Sequence, residues 1–110
     1  MMVAQFTHDV IFCIVNAGYS DAVMEVAKKF GARGGTVLNA RGTASQEAES
    51  FFGITIQPEK EVVMVVVSHE YKDTIMKGLY NEVGLNTAGQ GIAFSLPVDA
   101  VAGLSTKEEK

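Results

Sequence analysis

Apolar residues along this chain fall into strand-like runs that alternate with stretches of helical spacing. A short apolar run at His8–Asn16 is bounded by turn residues, which is typical of a buried strand. Residues 34–42 lie between glycines and predict a second strand, and residues 91–96 predict a fourth. The third strand, at 61–67, is β-branched almost throughout. Because this run is apolar on both faces, we expect a central strand that is covered on both sides.

Two stretches between these strands have the spacing of an amphipathic helix. The first places apolar residues on one helical face: Val23, Val26, Ala27 and Phe30. Ser20 is its expected N-cap and Gly31 its expected stop. The second has an apolar stripe made of Ile75, Met76, Leu79, Tyr80 and Val83. Ser68 is the expected cap and Gly84 the stop, while Gly78 costs about 1 kcal/mol relative to alanine and so indicates close packing.

The predicted order is strand, helix, strand, strand, helix, strand. This is the α+β, ferredoxin-like βαββαβ arrangement, a four-stranded antiparallel sheet with two helices on one face. The 110 residues allow a single domain, 1–110, with a long loop at 43–60 and a polar tail at 105–110 that we expect to fray. The face of the sheet without helices is predicted to be apolar, so we expect other copies of the chain to cover it.

Composition narrows the possible functions. The net charge of −4 and the scattered basic residues argue against a nucleic-acid-binding surface. We find no signal peptide and no apolar stretch of the roughly 18 residues that span a bilayer, so a cytoplasmic protein without direct membrane insertion is expected. The single cysteine, Cys13, lies in an apolar run and is interpreted as a small core residue.

Conventional catalytic and metal-binding signatures are missing from the sequence. His8 and His69 lie at the edges of predicted elements, without acidic or cysteine partners at ligand spacing, and are interpreted as surface residues. Glu47 and Glu49 fit a solvated face more simply than an acid/base pair. We therefore expect neither a metal site nor an enzyme.

Two segments have features that the fold alone does not require. Phe51 and Phe52 lie side by side in the long loop. We favour their packing against the domain or a neighbour, and the alternative is that they anchor a partner protein. Residues 84–91, Gly-Leu-Asn-Thr-Ala-Gly-Gln-Gly, contain enough glycine for backbone N–H groups to converge on an anion. They lack the lysine of a Walker loop and open no helix, so by itself this motif fits a plain turn better.

In combination, several motifs resemble the PII nitrogen-regulatory family. In chain order they are Gly34-Gly35-Thr36-Val37, then Arg41-Gly42 and Gln46, then Pro58 before the valine-rich strand, and finally Asn86-Thr87-Ala88-Gly89-Gln90-Gly91-Ile92-Ala93-Phe94. The resemblance covers residues 8–100. Each motif is modest, but their order and spacing together are fairly specific.

The resemblance implies a homotrimeric signalling protein of nitrogen or carbon metabolism. Family members bind adenine nucleotides between subunits, often with 2-oxoglutarate and magnesium, and act on a transporter, enzyme or regulator through the long loop. ATP, ADP and AMP are therefore the candidate ligands. Carried over by position, the nucleotide-binding residues are Thr36, Arg41, Gly42, Gln46, Lys60, Val65 through its backbone, Gly89 and Gly91. Phe51 and Phe52 belong to the partner-binding loop.

The chain departs from the family pattern at several basic positions. Glu59 replaces the lysine that usually follows the proline, with Lys60 one place later, and Ile92 replaces the lysine of the glycine turn. Residues 95–104 contain no arginine or lysine. Each charge-assisted contact is worth on the order of 1.5–3 kcal/mol, so the loss of several would greatly weaken the affinity for a triphosphate. AMP, ADP, another small anion or no nucleotide at all therefore remain open beside ATP.

Two other functions are compatible with this sequence. One is a structural or protein-interaction trimer that has lost nucleotide binding, which the missing basic residues favour. The other is a trimer of the related CutA-like group, which we rank last because that group carries tryptophan and this chain has none.

Overall fold

Four strands and two helices make up the part of the chain that the computed structural model describes, residues 6–43 and 58–103. In chain order they are β1 (His8–Asn16), α1 (Ser20–Lys29), β2 (Thr36–Arg41), β3 (Glu59–Ser68), α2 (His69–Val83) and β4 (Ile92–Pro97). The strands form an antiparallel sheet in the order β2-β3-β1-β4. This arrangement confirms the predicted ferredoxin-like fold.

One face of the sheet packs against both helices and forms the core. Alternate side chains of the two central strands are buried there: Ile11, Cys13, Val15, Val63, Val65 and Val67. They form one cluster with the apolar stripes of the helices, which include Val23, Val26, Ala27, Ile75, Leu79 and Val83. Cys13 is 1% exposed, and its burial raises the pKa of the thiol to about 11. The thiol therefore stays protonated at neutral pH, as a core residue should.

The other face of the sheet is also apolar, and no helix of the described chain covers it. We call it the open face. It consists of Val10, Phe12, Ile14, Leu38, Val62, Met64, Val66, Ile92, Phe94 and Leu96, which strand register places side by side. At its centre the rings of Phe12 and Phe94 stack with their centroids 5.2 Å apart. Leu96 is 51% exposed and Phe94 43% exposed in the isolated chain.

The third strand begins two residues earlier than predicted. Glu59 and Lys60 continue the β ladder opposite Arg41 and Ala40, so they belong to β3 and not to the preceding loop. Charged residues at a strand end give no hydrophobic signal, which is why the sequence placed the boundary at Glu61. Residues 44–57 and 104–110, which include most of the predicted loop and all of the predicted tail, lie outside the described residues.

The start of α1 is stabilised by a distant side chain and not by Ser20. Ser20 is the first helical residue, and Tyr19 occupies the N-cap position without a side-chain hydrogen bond. The Glu61 carboxylate accepts hydrogen bonds from the backbone N–H groups of Gly18 at 3.0 Å and Ser20 at 3.1 Å. The hydrogen bond from the Gly18 N–H, then one from the Ser20 side chain and finally that from the Ser20 N–H lower the pKa of Glu61, so Ser20 contributes as a donor to Glu61 and not as the N-cap. The Glu61 carboxylate of β3 thus accepts from backbone N–H groups at the start of α1, a role that the sequence analysis assigned to Ser20 as the N-cap.

The second helix starts where it was predicted to start. Ser68 occupies the N-cap position of α2, although its side chain makes no capping hydrogen bond, and Gly84 follows the last helical residue. Within the described ranges, 6–43 and 58–103, neither helix is long and apolar enough to cross a membrane.

Gly78 lies where α2 crosses α1, as its position in the helix suggested. A Cβ atom at this position would lie 2.8 Å from Phe30 Cε2 and 2.9 Å from Val26 Cγ1. We expect Gly78→Ala to lower the free energy of unfolding by about 1–2 kcal/mol, because overpacking outweighs the roughly 1 kcal/mol gain in helix propensity. Urea denaturation at one fixed protein concentration measures this.

The matched control for this prediction is Gly34→Ala. A Cβ atom at Gly34 would meet nothing within 4 Å, and the backbone there is not left-handed. This variant should stay within about 0.5 kcal/mol of the parent protein. A Gly78→Ala protein as stable as the parent would contradict the close packing of the two helices.

Candidate functional site

Three separate parts of the chain meet at one end of the sheet, which we call the loop end. They are the end of β1, the two ends of the long loop at Gly42 and Pro58 (the loop root), and the turn at 84–91. The backbone N–H of Asn16 donates to Gly89 O at 2.9 Å, and that of Ala17 donates to Glu59 O at 3.1 Å. The N–H of Gly42 donates to Pro58 O at 2.8 Å. Both ends of the connection between β2 and β3 are therefore fixed beside the glycine turn.

One polar network joins these parts through their side chains. Lys60 Nζ donates to Asn16 Oδ1 at 2.7 Å. Asn16 Nδ2 in turn donates to Ala88 O at 3.1 Å and approaches Gln90 Oε1 at 3.5 Å. Strand register places Asn16 and Lys60 opposite each other, on the same side of the sheet as the open face. The loop end thus presents an ammonium group at the rim of an apolar surface.

The predicted adenine-contacting residues lie on the same sheet, but further along it. Thr36 is exposed, pairs with Met64 and lies on the side of the open face. Lys60 is four strand positions away, or about 13 Å. The Val65 side chain faces the helices and is 2% exposed, so only its backbone can meet a ligand.

Arg41 does not converge with Lys60 on one face of the sheet. It pairs with Glu59 at the end of β2, and strand alternation turns both residues toward the helix side. Gly42 follows directly, and a Cβ atom there would lie 3.3 Å from Lys60 Cε. The aliphatic stem of Lys60 therefore packs along the loop root. Gln46, Phe51 and Phe52 lie outside the described residues.

Three backbone N–H groups of the glycine turn, those of Thr87, Gln90 and Gly91, have acceptors within the turn or on α2. Gly84 O accepts from the Thr87 N–H at 2.9 Å and from Thr87 Oγ1 at 2.8 Å. The Gln90 N–H donates to Thr87 O at 3.1 Å, and the Gly91 N–H donates to Val83 O at 2.6 Å. These three N–H groups are therefore not available to an anion in the present conformation of the turn.

Gly89 and Gly91 are both buried, and packing explains one of them without any ligand. A Cβ atom at Gly91 would collide with Val83 O and lie 2.9 Å from Val15 Cγ1. At Gly89 the nearest atoms, on the Tyr19 ring, would be at an ordinary 3.4 Å. The glycine at 91 is thus required by the close approach of β4 to α2, whereas that at 89 has room for a side chain.

Sequence reasoning missed Asn16, the residue that joins the network. Asn16 is the last residue of an apolar strand and was assigned only to its boundary. Its partners are distant in the sequence, 44 residues away for Lys60 and 72 for Ala88. A polar side chain that ends an apolar strand beside predicted turns was the available signal.

A second polar contact lies at the opposite end of β1. His69 is exposed, as predicted, but its Nδ1 lies 2.6 Å from Oδ2 of Asp9, which is 3% exposed. The spacing of residues along the chain could not reveal this acidic partner, 60 positions away. Among the residues that the structure describes, no group of three or more histidine, cysteine, aspartate or glutamate side chains is placed to hold a metal ion.

The two buried glycines of the turn should respond differently to a methyl group. We expect Gly91→Ala to lower the free energy of unfolding by about 2–3 kcal/mol, since backbone atoms must move, and Gly89→Ala to lower it by less than about 1 kcal/mol. Thermal unfolding of the two variants, side by side, measures this difference. Equal stabilities would show that Gly91 is not fixed by packing.

Solved structures of similar fold come from several organisms. B. subtilis GlnK in complex with ATP has a TM-score of 0.66 at 15% identity, over 87% of this chain and 85% of that chain. Arabidopsis thaliana PII bound to citrate has a TM-score of 0.60 at 21% identity, over 88% and 80%. A DUF3240-family protein from Shewanella baltica has a TM-score of 0.67 at 12% identity, over 92% and 100%. These likenesses show the fold.

Sequence comparison shows the family. No curated protein matches the chain significantly. The model of the family described as nitrogen regulatory protein P-II matches residues 9–108, almost the whole chain. This match confirms the resemblance seen in the motifs. The chain belongs to the nitrogen regulatory protein P-II family.

Proposed function

We propose that this protein is a homotrimeric regulator that binds a small anionic effector in the clefts between its subunits and acts on a target protein through residues 43–60. One observation carries the proposal: the Lys60 ammonium lies at the rim of the open face. Copies of the chain that cover this face also border the ammonium, so assembly itself builds a charged cleft beside the loop root.

The homotrimer is supported by the chemistry of the open face. Leu38, Ile92, Phe94 and Leu96 are each more than two-fifths exposed in the isolated chain, and they form one continuous surface with the apolar residues of the central strands. Contiguous apolar surface of this kind is characteristic of a subunit interface. Membership of the P-II family supports three copies as the number that covers it.

The chemistry of the loop end favours an anion of low charge as the effector. Lys60 supplies the ammonium and Arg41 a second cation at the end of β2. Two proteins of the same fold are described with polyanions, ATP in B. subtilis GlnK and citrate in A. thaliana PII. Because Glu59 and Ile92 stand where the family usually has lysine, we favour AMP, ADP or a carboxylic acid over ATP.

The proposed action is regulation without catalysis, in the cytoplasm. Members of the P-II family are regulators and not enzymes. The effector would change the conformation of residues 43–60, with Phe51 and Phe52 as anchors for the target, and so shift the population of target-binding states. The second candidate, a structural trimer that binds no effector, is favoured by the missing basic residues in 95–104.

Assembly through the open face predicts that one charge at its centre separates the subunits. Phe94→Asp places a carboxylate against Phe12 and should convert the trimer into a folded monomer, because burying an unpaired charge costs several kcal/mol. Sedimentation velocity measures the change. The matched control is Tyr80→Asp on the helix side, where Tyr80 is 71% exposed, and this variant should remain trimeric. A parent protein that sediments as a monomer would refute the trimer.

Effector binding predicts a measurable affinity for at least one small anion. Isothermal titration with ATP, ADP, AMP, cyclic nucleotides, 2-oxoglutarate, citrate and bicarbonate should give micromolar binding of one or more. Lys60→Gln should weaken it about 10- to 100-fold, the equivalent of one charge-assisted hydrogen bond. Arg41→Ala should also weaken binding and leave the trimer intact.

The exposed Lys77 on α2 provides the charge-matched control, since Lys77→Gln should bind as the parent does. Unchanged affinity in Arg41→Ala would remove Arg41 from the site. If a stable trimer binds none of these anions, the structural-trimer function replaces the sensor.

A further inference from the structure

A continuous path of contacts runs from the root of the long loop to the glycine turn, and it passes through the side chains of Lys60 and Asn16. A Cβ atom on Gly42 would lie 3.3 Å from Lys60 Cε and 3.5 Å from its Cγ, so the loop root packs along the lysine stem. The Lys60 ammonium donates to Asn16 Oδ1 at 2.7 Å. Asn16 Nδ2 then donates to Ala88 O at 3.1 Å. Asn16 is the member of this path that links Lys60 to the turn.

The chemistry of the two partners fixes the orientation of the Asn16 amide. An ammonium group can only donate, so the amide oxygen must face Lys60. The carbonyl oxygen of Ala88 can only accept, so the NH₂ group must face the turn. A flipped amide would lose both bonds. Asparagine suits this position because its amide offers the acceptor for Lys60 and the donor for the turn on two separate atoms.

A neutral partner leaves the charge of Lys60 available. An ammonium group has three donors, and the Asn16 oxygen takes one of them. Within residues 6–43 and 58–103, no carboxylate lies within ion-pair distance of Lys60. Its neighbours Glu59 and Glu61 alternate to the other side of the sheet. The ammonium is therefore held in place without being neutralised.

We propose that Asn16 is a positioning residue with two effects. It holds the Lys60 ammonium for one anionic group of the effector, a single phosphate or a carboxylate. Through Lys60 it also couples the turn at 84–91 to the loop root at Gly42. The first effect rests on the proposed function, whereas the second is a property of the free protein and requires no ligand.

The coupling is tested in the free protein by amide hydrogen exchange at Gly42 and Gln90, whose N–H groups donate to Pro58 O and Thr87 O. Asn16→Ala should speed exchange at both amides about tenfold. Asn16→Asp retains an acceptor for Lys60 but loses the donor to Ala88, so it should speed exchange at Gln90 and leave Gly42 close to the parent rate.

A double-mutant cycle decides whether the effect passes through Lys60. In a Lys60→Met background, Asn16→Ala should add little to the exchange rate at Gly42, because the path is already broken. An equal effect of Asn16→Ala with and without Lys60 would overturn the coupling. Asn81→Ala, on the exposed side of α2, is the matched control and should change neither amide.

The positioning effect is tested by titration with AMP and with citrate. Asn16→Ala should weaken the affinity about tenfold, and Asn16→Asp should weaken it more, because a carboxylate neutralises Lys60. Asn16→Asp should therefore bind the probes more weakly than Asn16→Ala, yet its Gly42 amide should exchange more slowly. A purely structural role of Asn16 would rank the two variants in the same order in both measurements.

The two proposals fail in different ways. If the parent protein binds none of the anions titrated for the proposed function while the exchange results hold, the effector site is refuted and the coupling through Asn16 stands. If a probe binds and Asn16→Asp binds it as tightly as the parent does, the positioning role is refuted and the proposed function stands. Additive exchange effects refute the coupling whatever the titrations give.

Discussion

The apolar character of both faces of one sheet is the constraint on which the rest of this structure depends. On β3, Val63, Val65 and Val67 pack under the helices while Val62, Met64 and Val66 face the other way. Burial is worth about 25 cal/mol per Å² of apolar surface, so leaving the second face in water is expensive. Two helices cannot cover both faces of a ferredoxin-like sheet. The loop end therefore lies at the rim of an exposed apolar surface.

The glycine turn, residues 84–91, has a role in packing that is separate from any role in anion recognition. Its N–H groups at Thr87, Gln90 and Gly91 already have acceptors within the turn or on α2. These bonds hold the turn rigid, and Lys60 is the candidate source of positive charge beside it. Rigidity matters for that role, because a carbonyl fixed at Ala88 can orient the Asn16 amide, and the amide can orient the ammonium.

Sequence patterns predicted the fold well because the fold is carried by apolar periodicity. The valine run placed β3 in the centre of the sheet, and the helical stripes gave both buried helix faces except at Tyr80, which was predicted in the stripe of α2 but is 71% exposed. The errors lie where polar contacts between distant residues determine the local structure. Glu59 and Lys60 extend β3 because they pair with β2. Glu61 takes the place of Ser20 in accepting from N–H groups at the start of α1. For the same reason the motifs indicated Lys60 and Gly42 separately. For Asn16, which joins Lys60 to the turn, the local signal was only its place as a polar residue at the end of an apolar strand.

Assembly and effector binding are thermodynamically linked if the proposed trimer forms. Covering the open face removes water from around Lys60, which lowers the local dielectric and strengthens its attraction to an anion. The same step imposes a desolvation cost on an ammonium that has no charged partner among residues 6–43 and 58–103. Asn16 offsets part of that cost in the free protein by accepting a hydrogen bond, and an anionic effector offsets more. An effector that binds only between subunits must then stabilise the trimer, by an amount set by its affinity and concentration.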